Sequence, residues 1–115
     1  MGDRREFYDN LIRLVVAGFA HLRAEAAQWH ALSYFDQVAA LEQVDDCWRD
    51  LGVLKGALQE GKLDPGAAGQ VEELLKAAEK IEPLVRALEH RLKPTPSREE
   101  YLKELAKGRF VKEVE

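Results

Sequence analysis

Apolar residues recur along this chain at alternating steps of four and three, beginning with Tyr8, Ile12, Val15, Phe19, Leu22, Ala26 and Trp29. At 3.6 residues per turn this spacing puts all seven on one stripe of an α-helix, which Leu11 and Gly18 widen. Asp3 is a suitable cap for its first turn, so the pattern predicts a helix over 3–31. A helix so apolar along one side does not stand alone in water, and the remaining chain has to cover it.

A second stripe runs through Tyr34, Val38, Leu41, Val44, Trp48, Leu51, Leu54 and Leu58 and predicts a helix over 34–60. Ser33 followed by Asp36 gives a start signal, so a tight turn is expected at Ala31 to Ser33; the rival is one rod from Asp3 to Glu60, about 86 Å long. Gly61 closes the second helix, and Asp64-Pro65 opens a third over 65–92 with Val71, Leu74, Ala78, Ile81, Val85, Leu88 and Leu92 on one face. Pro83 lies off that face and is expected to bend the helix without breaking it. Lys93-Pro94-Thr95-Pro96 ends it, Ser97 and Glu100 form a capping box for a short fourth helix over 98–107, and Gly108 closes that helix. The expected fold is all-α: an antiparallel three-helix bundle, with residues 1–93 as the bundle and 94–115 as a linker, short helix and tail of one domain.

Composition narrows this little. The chain has 115 residues, enough for one modest core, with a net charge of −4 and 33% charged residues. Its longest uncharged apolar run, Leu14 to Ala20, is too short to cross a bilayer. Asp3, Arg4, Arg5 and Glu6 do not read as a secretion signal, so a cytoplasmic location is expected. Cys47 is the single cysteine and has Val44, Trp48 and Leu51 at helical spacing; it reads as a small buried hydrophobe.

No set of residues points to catalysis. Glu42 and Asp45 spell E-x-x-D as in the all-α nucleotide pyrophosphohydrolases, but no E-x-x-E precedes them, and two carboxylates are too few ligands for a hard cation. His21 and Glu25 on the first helix, with Glu42 and Asp46 on the second, read as surface ion pairs rather than a metal site. Leu54-Lys55-Gly56 is similar to the segment after the accepting histidine of histidine phosphotransfer bundles, yet Gly52 occupies the accepting position, which excludes phosphoryl transfer. Gly52 and Gly56 are expected to mark a bend or a close helix approach. No catalytic, cofactor-binding or metal site is predicted, and the chain is not expected to be an enzyme.

The expected role is therefore contact with other chains, as a non-enzymatic protein–protein interaction or assembly subunit binding a protein partner or a second copy of itself. Phe7, Leu14, Val16, Phe35, Val53 and Leu75 lie off the main stripes, and Phe110 and Val111 sit in the tail; these are the candidate interface residues. The alternative role follows from charge. Residues 33–60 carry Asp36, Glu42, Asp45, Asp46, Asp50 and Glu60 against only Arg49 and Lys55, whereas 86–115 carry eight Lys or Arg against six Glu. Antiparallel packing brings Arg86, His90, Arg91 and Lys93, with Arg98, to the end of the bundle that holds Trp29, His30 and Tyr34. Basic groups interleaved with aromatics suit single-stranded RNA or DNA. In size and helical make-up alone the chain resembles the small α-helical subunits that line the nucleic-acid path of CRISPR effector complexes.

Overall fold

The computed structural model describes residues 2–106. Its helices are α1 (Gly2–Ala26), α2 (Tyr34–Gln59), α3 (Pro65–His90) and α4 (Arg98–Ala106), with a short 3-10 turn (Trp29–Ala31) between α1 and α2. The three long helices pack against one another as an up-down-up bundle, and no strand occurs among the described residues. The expected all-α bundle is what forms.

Its boundaries are set by a few side chains. Ser33 Oγ accepts from the Asp36 amide at 3.1 Å and caps α2, while Asp64 Oδ1 accepts from the Ala67 amide at 2.8 Å and caps α3. At the far end of α2, Gly61 takes φ +68°. There the Lys62 amide reaches Ala57 O at 2.9 Å and the Gly61 amide reaches Leu58 O at 3.2 Å, the paired bonds of a Schellman turn. Ser97 Oγ accepts from the Glu100 amide at 3.3 Å and starts α4. Helix α3 runs unbroken through Pro83, which is exposed and costs the helix one backbone bond. Expectations for Gly108, Phe110 and Val111 lie outside the described residues.

The first helix is shorter than its stripe. It stops at Ala26, and the chain tightens into the 3-10 turn before Ser33, so the single rod from Asp3 to Glu60 does not form. Trp29 continues the stripe in sequence yet is reached by this turn rather than by an unbroken helix. Its ring is 2% exposed and plugs the end of the core.

The core gathers Ile12, Val15, Phe19 and Leu22 from α1, Val44, Leu51 and Leu54 from α2, and Val71, Leu74, Ile81 and Leu88 from α3. On α2 the buried face keeps Val44, Leu51 and Leu54 of the predicted stripe and is turned from it by part of a turn. It passes through Gln37, Ala40, Cys47 and Ala57, while Leu41, Trp48 and Leu58 pack from its flank. Small residues let α1 come close. A Cβ built on Gly18 stands 2.1 Å from Cys47 Sγ, so the two helices touch where one of them has no side chain. Gly52 and Gly56 do not mark such an approach, because neither has an atom within 4 Å of its missing Cβ.

Gly18→Ala should gain about 1 kcal/mol in helix propensity and lose about 1–3 kcal/mol to overpacking, a net loss. In a Cys47→Ala background the crowding atom is gone, and the same change should become neutral or stabilising. Urea midpoints of the four members of this cycle measure the coupling; equal effects of Gly18→Ala in both backgrounds would contradict the close approach.

Candidate interaction surfaces

At the end of the bundle where α1 hands over to α2 and α3 terminates, one side chain ties the backbone together. Gln37 lies in the first turn of α2 and is fully buried. Its Nε2 donates to Trp29 O at 2.8 Å, and its Oε1 accepts from the Lys93 amide at 2.9 Å. The amide satisfies the Lys93 N–H just past α3, which no helix bond reaches, and adds a second donor to Trp29 O, which already accepts from the Leu32 amide of the 3-10 turn. Nothing in the apolar pattern marks Gln37; the only signal is a glutamine one turn after an N-cap, with Tyr34, Ala40 and Leu41 at three- and four-residue steps.

This tie brings the predicted basic and aromatic residues to one end, although not in the predicted roles. Trp29 is buried in the core, so its ring is not a stacking platform, and its indole Nε1 has no hydrogen-bond partner among the described residues. Tyr34 and Phe35 are half-buried and meet edge to face at 5.5 Å between ring centres. Phe35 also packs against Tyr101 of α4 at 5.7 Å, which accounts for a side chain that the sequence pattern left outside the core. A cleft of about 320 Å³ here is lined by Ser33, Tyr34, Phe35, Lys93, Pro94, Pro96 and Glu100. His30, His90, Arg91, Lys93 and Arg98 are exposed, and Arg86 is exposed but paired with Glu82 at 2.6 Å.

The long sides of the bundle differ from this end. Phe7, Leu14, Val16 and Val53 are 52%, 58%, 50% and 44% exposed. Val16 looks into a shallow groove between α1 and the start of α3, floored by Ile12, Gly66, Gly69 and Leu74. Leu75 is different: it is half-buried against the core and is a flank residue of α3.

Charged groups on these sides are engaged locally. His21 Nε2 lies 2.7 Å from Glu25 Oε1, Arg49 pairs with Asp46, and Arg5 reaches Asp64 at 3.4 Å. Among the described residues no three metal-ligating side chains converge, and no helix is long and apolar enough to cross a membrane. Cys47 is buried as its neighbours suggested, and burial, then the charges of Asp50 and Asp46, push its thiol pKa up. No known protein family, curated protein or solved structure matches the chain.

Two outcomes follow. Gln37→Leu should cost about 1–3 kcal/mol, chiefly by leaving the Lys93 amide without its acceptor. In hydrogen exchange the Lys93 amide should lose its protection while amides at the middle of α3 keep theirs up to the lowered global stability; unchanged Lys93 exchange would contradict the tie. For Cys47, the folded state holds the proton more tightly than the unfolded state. Its contribution is therefore intact below the unfolded thiol pKa, near 8.5, and is lost as pH rises through the raised folded value. Urea midpoints at neutral and alkaline pH should show a steeper alkaline loss in the parent chain than in Cys47→Ala.

Proposed function

We propose that this chain is a helical assembly module that works by burying the apolar side chains on the outside of its bundle against another protein chain. The observation that carries this reading is the exposure of Phe7, Leu14, Val16 and Val53, all large, all on rigid helices, and none needed to complete the core. Each is about half exposed, so burying the remainder would contribute half of the ~1.5–3 kcal/mol of a full burial, and several must act together with neighbouring contacts to offset the cost of association. A cytoplasmic setting fits this reading. The mechanism is docking, with the bundle as a rigid support.

A second reading, contact with single-stranded nucleic acid, draws on the exposed His30, His90, Arg91, Lys93 and Arg98 around the Tyr34, Phe35 and Tyr101 rings. It is weakened by the burial of Trp29, by Glu100 in the same cleft and by the pairing of Arg86 with Glu82.

Sedimentation from about 1 to 100 µM should detect self-association, the simplest form of such docking, and replacing Phe7, Leu14, Val16 and Val53 together by Ser should weaken it at least tenfold with helicity retained. Equal behaviour of the two proteins would overturn the reading. Salt-dependent binding of labelled single-stranded RNA at about 50 but not 200 mM salt, lost on replacing Arg91, Lys93 and Arg98, would favour the second.

A further inference from the structure

Helix α1 carries a second stripe opposite in character to its core stripe. Phe7, Asn10, Leu14, Ala17, His21 and Ala24 follow one another at steps of three, four, three, four and three, and all six are exposed. None is Asp, Glu, Lys or Arg, although charged residues stand at 3, 4, 5, 6, 9, 13, 23 and 25 of the same helix. The spacing is that of the contact seam of a coiled coil, about 26 Å long at 1.5 Å per residue.

The order of residues along this seam identifies what covers it. The spacing reads the same in both directions, so an antiparallel copy of α1 can lie on it about a two-fold axis between Val15 and Val16. In that register Phe7 meets Ala24 of the second copy, Leu14 meets Ala17, and Asn10 meets His21. Large side chains fall opposite small ones and polar opposite polar. On the flank away from α2, Glu6 and Arg13 face Ala27 and Ala20 of the second copy, so no like charges are forced together. The neighbouring helix agrees: because Gly18 lies against Cys47, the same axis crosses α2 between Arg49 and Asp50, which brings Arg49, paired within its own chain with Asp46, level with the opposite charge of Asp50 in the second copy, with Val53 beside them. A parallel pairing would stack Phe7 on Phe7 and His21 on His21, leaving Ala17 and Ala24 without bulk opposite them.

We infer that the partner of the α1 seam is a second copy of this chain, bound antiparallel through Phe7, Asn10, Leu14, Ala17, His21 and Ala24. The inference rests on the proposed docking role and names its partner and face. An isologous two-fold contact of this kind closes on itself and yields a dimer rather than a fibre.

Sedimentation equilibrium of the full chain and of Leu14→Glu and Val16→Glu tests the face. Dimer in the parent and in Val16→Glu, with at least tenfold weaker association in Leu14→Glu, is expected; circular dichroism controls for folding, since Leu14 is exposed. Crosslinking tests the direction. Asn10→Cys and His21→Cys chains mixed under mild oxidation should form a mixed disulfide, whereas each alone should not, because positions 10 of the two copies lie about 16 Å apart in the antiparallel pair. Homodisulfides of Asn10→Cys alone would overturn the antiparallel pairing. Dimer that survives Leu14→Glu but not Val16→Glu would overturn this seam and leave the docking role standing, and a parent chain that stays monomeric throughout would sink both the seam and self-association.

Discussion

The buried amide of Gln37 is the interaction on which the arrangement of this end of the molecule depends. Three helices covered by apolar stripes slide and rotate against one another at little cost, because hydrophobic burial is non-directional. A fully buried primary amide is directional. With Nε2 held by Trp29 O and Oε1 by the Lys93 amide, the 3-10 turn, the first turn of α2 and the exit of α3 share one geometry. Displacing the exit of α3 leaves the Lys93 amide without its acceptor and the Gln37 amide incompletely paired in the core, which costs more than the bonds themselves contribute. The turn at Pro94 and Pro96, and hence the docking of Tyr101 on Phe35, inherit that placement.

At mid-bundle the governing constraint is steric. Gly18 lets α1 settle onto Cys47, and the small residues Ala40, Cys47 and Ala57 make α2 a narrow surface against which larger side chains of α1 and α3 close. Leu51 and Leu54 stay in the core, while Leu41, Trp48 and Leu58 pack from the flank, where Trp48 meets Phe19 edge to face at 5.6 Å. Close approach of α1 and α2 also fixes what remains outside. Phe7 and Leu14 lie off the core stripe of Ile12, Val15, Phe19 and Leu22 and are left exposed.

The two surfaces so created differ in physical character. The end near Tyr34 is polar, its aromatic rings are engaged with one another, and its acidic and basic groups alternate. The α1 side presents Phe7, Leu14, Ala17 and Ala24 with Asn10 and His21, none of them Asp, Glu, Lys or Arg. The proposed docking role rests on this difference, since contact through the α1 side would remove apolar surface from water without reorganising the fold.

The sequence by itself determined the existence and order of the helices, because the 3.6-residue period, Ser33, Asp64-Pro65, Gly61 and the Pro94–Pro96 stretch act locally and act the same way in any context. It also determined most of the core stripes of α1 and α3, and Phe7, Leu14 and Val53 as apolar residues outside them. Only the tertiary structure decided where α1 stops, which face of α2 is innermost, that Gly18 rather than Gly52 or Gly56 is the close approach, that Trp29 is a core plug, and that Phe35 and Leu75 are covered within the chain. Each of those depends on what stands across from the residue. Periodicity specifies a face, but the rotation of a helix by part of a turn is settled by the volumes and polar partners it meets, as Cys47 meets Gly18 and Gln37 meets Lys93.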